Sequence, residues 1–210
     1  MRKVFVTGTD TGVGKTVVSA LLCAALDGTY WKPVQTGSRQ GTDRHTVRTL
    51  AVLMHEDEIP EVYCLPEPVS PHLAARWTGV RLRLDAFRRP QIPESKWLIV
   101  EGAGGVMVPL NDTEFMRDLI KYLGFPVVLV ARTALGTINH TLLSLEALGH
   151  AGINVLGVVL NGEESKDNRE AIQQFGKVPI LGWVPPLTRI SRQELCRIFD
   201  ERFDKTYFPL

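Results

Sequence analysis

Cysteine is scarce in this chain of 210 residues: only Cys23, Cys64 and Cys196, far apart and odd in number. They make no CxxC pair and no metal-ligand spacing, which argues against a disulfide framework or a zinc site. Free thiols in a reducing compartment are expected. An excess of charge of one sign is missing too, since 24 Lys+Arg against 23 Asp+Glu leave +1. No global positive field draws in nucleic acid or an anionic membrane, so neither is expected as a partner. No apolar run approaches the ~18 residues of a membrane span. The short VFVTG after Met1, Arg2 and Lys3 is too brief for the apolar region of a signal peptide. A cytoplasmic, soluble protein is expected. There is no internal repeat and no linker-like low-complexity stretch. What remains is ordinary globular composition, 44% hydrophobic and 22% charged with 18 Gly and 13 Pro, fitting one domain over residues 1–210.

Six short apolar runs have strand character, at residues 3–7, 30–34, 97–101, 126–131, 154–161 and 179–183. Most are continuously apolar rather than alternating, which suits strands covered on both faces. Between them lie helical spacings: a first one ending at Leu26, then 42–55, 112–123, 137–151, 166–175 and 191–204. In the last, Ser191 and Glu194 have capping-box spacing. Strands alternating with helices predict an α/β fold, three layers deep, with a mostly parallel sheet between helices. The least regular region, 60–93, is rich in Pro and Arg. Its Arg81, Arg83, Arg88 and Arg89 have no interleaved aromatics of the kind that bind nucleic acid, and read as a solvated surface around short helices.

The strongest signal is GTDTGVGKT at 8–16, directly after the first strand and opening the first helix. That is the context of a phosphate loop. Successive backbone N–H groups and a helix N-terminus surround an anion there. Gly12 and Gly14 let the backbone approach phosphates without a Cβ in the way. Lys15 would reach the β/γ-phosphates and the Thr16 hydroxyl would ligate Mg²⁺. The match departs from the plain G-x-x-x-x-G-K-[ST] pattern: its first position holds Thr9, and the glycine sits one residue earlier at Gly8.

Acids for the metal follow. Glu101 closes the apolar run WLIVE and precedes Gly102, Ala103, Gly104 and Gly105. An acid at the C-terminal end of a parallel strand lies on the ligand-binding edge of such a sheet. Asp43, after the second strand, is a further candidate, although it could instead cap the helix that follows. Lys32 lies in an otherwise apolar strand. It marks either an exposed edge or, if that strand belongs to the parallel core, a second cation aimed at the phosphates. Pro33 beside it disfavours a regular central ladder, so the strand is expected to bend or end there. Thr36, Gly37 and Ser38 form a polar turn able to hold a substrate.

Five blocks, GTDTGVGKT, WKPVQTGS (31–38), EPVSPH (67–72), VEGAGG (100–105) and LGTINHT (135–141), occur in the order found in dethiobiotin synthetases. The chain resembles that family over nearly its whole length. The resemblance implies a single-domain P-loop NTPase-like fold and a homodimer with the active site at the subunit interface. It implies ATP, Mg²⁺ and CO₂ used to close a ureido ring on 7,8-diaminononanoate, through a carbamate and a carbamic-phosphoric anhydride. Carried over by position, Lys15 and Lys32 resemble the catalytic lysines. Thr16, Asp43 and Glu101 match the Mg²⁺ ligands. Gly12, Val13, Gly14, Lys15, Thr16, Val17, Asp43, Glu101, Gly102, Ala103 and Gly104 match the phosphate side of the nucleotide site. Asn161, Gly162, Pro185, Pro186 and Leu187 match its adenine side. Thr11 and Thr36 match residues near the diamine and carbamate, while Leu135, Gly136, Thr137 and Asn139 match the partner-subunit loop that receives the distal carboxylate. Two departures stand out: TDRH around Asp43 is a looser match, and Gly12 replaces an acidic residue carried by some members.

His72 and His140 fall inside matched blocks, but the chemistry needs no histidine base and both read as hydrogen-bonded structural residues. Two other readings compete: a fragment of a cobyrinate-type amidoligase, and a partner-binding ATPase switch of the chromosome-partitioning or cell-division-positioning kind. A whole enzyme of the first kind carries a glutaminase domain, for which 210 residues leave no room, so that reading holds only for a stand-alone fragment. The second usually carries an early lysine in the phosphate loop, where this chain has Thr9 and Asp10.

Overall fold

In the computed structural model, which describes residues 2–209, successive residues of the innermost strands enter opposite cores. Val4, Val6, Ile99, Val128 and Val130 pack into one, while Phe5, Leu98, Val100, Val127 and Leu129 pack into the other. All ten are fully buried. A strand buried on both faces cannot alternate apolar with polar, hence the continuous apolar runs.

Along the chain the strands are β1 (Lys3–Gly8), β2 (Thr29–Trp31), β3 (Val34–Gln35), β4 (Glu58–Ile59), β5 (Tyr63–Cys64), β6 (Leu98–Gly105), β7 (Val127–Arg132), β8 (Val155–Asn161) and β9 (Ile180–Val184). The helices are α1 (Lys15–Leu26), α2 (Asp43–Ala51), α3 (Pro71–Thr78), α4 (Met116–Leu123), α5 (Thr137–His150), α6 (Lys166–Gly176) and α7 (Arg192–Arg202). The main sheet runs β4-β2-β6-β1-β7-β8-β9, with every pairing parallel. A second, two-stranded sheet pairs β3 with β5. Helices α1, α2 and α7 cover one face, and α3 to α6 supply residues to the core on the other. The expected three-layer α/β architecture is present. Among the described residues no helix is long and apolar enough to cross a membrane.

The break expected at Pro33 is present: the run at 30–34 is two strands, divided at Lys32–Pro33, and β3 leaves the main sheet. Three local expectations are corrected. The strand ending in Glu101 continues to Gly105, because the small residues of EGAGG keep pairing beside β1 up to Gly8↔Gly105. Gly102 has no room for more, since a Cβ there would meet Phe5 at 2.9 Å. The helix expected from 112 begins at Met116. Before it, Asn111 Oδ1 accepts from the amides of Thr113 and Glu114 at 3.0 and 2.9 Å, an Asx-type turn that competes with the helix. Asp118 then caps the true start by accepting from Phe115 N at 2.7 Å. The helix expected to 55 stops at Ala51, with Val52 left-handed at φ 52°.

Candidate functional site

The chain leaves β1 at Gly8 and re-enters helical geometry at Lys15, and the turn between is set by Gly12 (φ 71°) and Gly14 (φ 99°). Gly14 is glycine for two reasons. Its backbone is left-handed, and a Cβ would stand 2.0 Å from Asn161 Nδ2. Asn161, at the end of β8, instead donates Nδ2 to Val13 O at 2.9 Å and holds the loop from behind. Asp10 braces the other end: its carboxylate accepts from Thr11 N at 2.7 Å and from Arg132 at 2.8 Å. Lys15 is buried and folds back over the loop, Nζ donating to Asp10 O at 2.9 Å. Burial pulls its pKa down to about 8; the nearby Lys32 charge adds to this, against the opposing pull of Glu101 and Asp43.

A second constellation meets this loop. Lys32, just past the end of β2, is buried and donates to Glu101 Oε1 at 3.0 Å; its Nζ lies 2.5 Å from Asp43 Oδ2. Burial works against its charge, but the two carboxylates outweigh that and hold its pKa above the ordinary value. β2 lies between β4 and β6, so the exposed-edge alternative for Lys32 is excluded. Thr16 Oγ1 donates to the same Oε1 at 3.0 Å, and Tyr30 OH donates to Oε2 at 2.9 Å. Burial and the adjacent Glu101 push the Tyr30 hydroxyl well above its usual range. Asp43 is the first residue of α2, and its cap is Thr42, whose side chain accepts from His45 N. That leaves the Asp43 carboxylate free for Lys32. Gln35 fixes its backbone, Oε1 accepting from Asp43 N at 2.9 Å.

These groups open onto one cleft of about 650 Å³. The loop after β1, the end of β2 and the middle of β6 place it at the C-terminal edge of the sheet, where open parallel sheets bind ligands. Of the residues expected from sequence, Thr11, Gly12, Gly14, Lys15, Thr16, Val17, Lys32, Thr36, Asp43, Glu101, Ala103 and Gly104 line it. Val13 is wholly buried beneath the loop, and Gly102 contributes a carbonyl 3.4 Å from Lys32 Nζ. Asn161 lies behind the phosphate loop, and Gly162 N bonds Val184 O. Pro185, Pro186 and Leu187 follow β9 on that side. Leu135, Gly136, Thr137 and Asn139 do not line the cleft; Leu135 is fully exposed, and Thr137 is buried with its hydroxyl donating to Arg132 O at 2.5 Å. His72 meets Ser70 Oγ at 3.0 Å through Nδ1.

Sequence reasoning missed Tyr30, Gln35 and Arg132. Tyr30 stands two residues before Lys32 in extended chain, so a period of two places both side chains on one face. That signal was available. Arg132 meets Asp10 across 122 positions, and no local pattern marks it.

The donor set fits a divalent cation of the hard kind. Thr16, Glu101 and Asp43 offer a hydroxyl and two carboxylates facing the cleft. Among the described residues no three His, Cys, Asp or Glu side chains form a cage. One or two carboxylates beside substrate phosphates is the arrangement Mg²⁺ takes.

Comparison with known proteins places the chain beside a family model, curated relatives and solved structures. A family model described as an AAA domain matches residues 2–194. The chain is 48% identical over 201 residues to the ATP-dependent dethiobiotin synthetase BioD of Nitrobacter hamburgensis, covering 96% of this chain and 94% of that protein. It is 47% identical over 206 residues to the BioD of Rhodopseudomonas palustris, covering 98% of each. Among solved structures, the MinC:MinD cell division complex of Aquifex aeolicus aligns with a TM-score of 0.55 at 12% identity, over 94% of this chain and 86% of that one. Chloroplast FtsY of Physcomitrella patens aligns at 0.55 and 14% identity, over 98% of this chain and 63% of that one. Both structural likenesses show the fold alone.

Proposed function

The chain belongs to the dethiobiotin synthetase family, ATP-dependent ligases that form C–N bonds in biotin biosynthesis, and from that premise we propose how its residues divide the work. The observation that carries the assignment is the meeting of two buried lysines, Lys15 and Lys32, with Glu101, Asp43 and Thr16 in one cleft.

One amine of 7,8-diaminononanoate adds to CO₂ and loses a proton, giving a carbamate. A carbamate oxygen takes the γ-phosphoryl group of ATP, releasing ADP. The second amine then attacks the carbonyl carbon of the carbamic-phosphoric anhydride, and phosphate leaves as the ring closes. Lys15, with the N–H groups of the loop from Gly12 to Thr16, holds the phosphates. Lys32 stabilises the carbamate and the transferring phosphoryl group. Both cations sit in a site that water reaches poorly, where charge stabilisation is strongest. Thr11 and Thr36 contact the diamine and the carbamate. Mg²⁺, held by Thr16, Asp43 and Glu101, would neutralise phosphate charge when bound. Asn161, Gly162 and the segment Pro185, Pro186, Leu187 border the base. The residues left outside the cleft support a homodimer with a shared site. Leu135, Gly136, Thr137 and Asn139 open α5, and exposed Leu135, Leu143 and Met107 leave apolar surface for a second copy. The reaction belongs in the cytoplasm.

The test measures dethiobiotin from diamine, bicarbonate, ATP and Mg²⁺, alongside ATP consumption with and without the diamine. Diamine-dependent ATP use matched one for one by product is expected. ATP hydrolysis indifferent to the diamine would refute the assignment.

A further inference from the structure

Tyr30 does not line the cleft and holds none of the roles above, yet its hydroxyl reaches the acid at the centre of the site. The Glu101 side chain is wholly shielded from solvent and receives three donors. Thr16 and Lys32 both meet Oε1 from the cleft side; Tyr30 meets Oε2 from inside the protein. The two donors on Oε1 belong to residues with other work, on the nucleotide and the phosphoryl group. The tyrosine has none. Its ring is fully buried, and its backbone is clamped between strands on both sides, paired with Glu58 of β4 and Ile99 of β6. Close packing on all sides restricts the rotamers open to such a side chain. It is therefore a fixed donor to a carboxylate whose other partners have ligands to attend to.

We propose that Tyr30 is a positioning residue: by holding Oε2 of Glu101 it orients that carboxylate so that the oxygen facing the cleft is presented to the divalent cation. This rests on Glu101 being a metal ligand. Without the hydroxyl, Oε2 keeps no hydrogen-bond partner among the described residues, and the carboxylate is held through Oε1 alone, by the two donors that also serve the ligands. The cation then meets a ligand that must first be ordered, a cost that preorganisation otherwise removes. The competing account is that Tyr30 is a core ring whose hydroxyl is merely satisfied by the nearest acceptor.

Calorimetric titration of a non-hydrolysable ATP analogue separates the two. Wild type, Tyr30→Phe and Glu101→Gln are each titrated with Mg²⁺ and, separately, with EDTA. Phenylalanine keeps the ring and removes only the hydroxyl. Tyr30→Phe is expected to bind the Mg²⁺-free analogue as wild type does, while losing roughly tenfold of the tightening that Mg²⁺ confers, the consequence of one lost hydrogen bond to a charged group. Full Mg²⁺ tightening in Tyr30→Phe overturns the proposal. So does an equal loss of affinity with and without Mg²⁺, which would mean that the tyrosine serves the fold alone. Glu101→Gln tests the premise separately. If it keeps the Mg²⁺ tightening, Glu101 is no ligand and the reading beneath the proposal fails, whatever Tyr30→Phe does.

Discussion

Lys15 and Lys32 are both buried ammonium groups in one cleft, and their surroundings push them in opposite directions. Among the described residues Lys15 has only the Asp10 carbonyl within hydrogen-bond reach, whereas Lys32 touches two carboxylates. Replacing either with alanine is expected to abolish ring closure with the fold retained, each loss amounting to roughly 3 kcal/mol or more of transition-state stabilisation. Lys15→Ala should lose more nucleotide affinity than Lys32→Ala; turnover and nucleotide titration of both variants check this, and near-normal turnover in either would be incompatible with its role. Burial also makes Lys15 a proton acceptor on binding. Its pKa in the free protein is about 8, against an ordinary 10.5. Between those values the free protein carries it mostly neutral, while phosphate favours the ammonium. Nucleotide binding should therefore take up a proton in that window and not well below it. Titration calorimetry at a pH of about 9 in buffers of different ionisation enthalpy reads this directly; identical heats across buffers would contradict it. For the same reason this group's contribution to the stability of the free protein improves as pH rises from about 8 to 10.5, because there the unfolded chain binds more protons.

At the level of elements, the phosphate loop depends on how closely β8 approaches it. Gly14→Ala adds a Cβ 2.0 Å from Asn161 Nδ2 and forces a side chain into φ 99°. It is expected to cost roughly 1–3 kcal/mol of stability and most of the nucleotide affinity, measured by thermal unfolding and titration. Adding Asn161→Ala should recover only part of the loss, since the clash goes but the backbone strain stays. Much of this framework was legible beforehand. Continuous apolar runs announced strands covered on both faces, and GKT between strand and helix announced the loop. Less legible was whatever depended on pairing partners. Lys32 read equally as an edge residue, because β4, the strand that covers its side of β2, has only two residues, Glu58 and Ile59, too few to carry a pattern. The end of β6 is hard to read because glycines weaken strand propensity, yet here they continue the ladder. The start of α4 is hidden because an asparagine turn satisfies its backbone first. Tyr30 meets Glu101 across 71 residues, and only the fold brings the two together.

For the molecule as a whole, the loop that opens α5, proposed above to receive substrate, lies outside the cleft that its own chain lines. If a partner chain supplies it, two dead variants should complement each other. A Lys15→Ala subunit mixed with an Asn139→Glu subunit leaves one composite site wild type at both positions, so up to about half the activity per mixed dimer should return. No recovery, with subunit exchange verified independently, would mean that each chain builds its site alone. The cleft itself is uneven. Its floor belongs to the seven-stranded sheet, whereas the wall carrying Thr36 and Gly37 follows β3, which left that sheet at Pro33 and keeps only the pairings Val34↔Tyr63 and Gln35↔Cys64. In deuterated water the amides that tie this wall, Gly37 to Glu67, Ser38 to Leu65 and Leu65 to Gln35, should exchange well before those of Val6 or Val100, since a two-rung ladder opens without unfolding the rest. Bound diamine should slow that exchange while leaving the inner strands untouched, so the wall adjusts to the substrate and the floor keeps time on its own, slower clock.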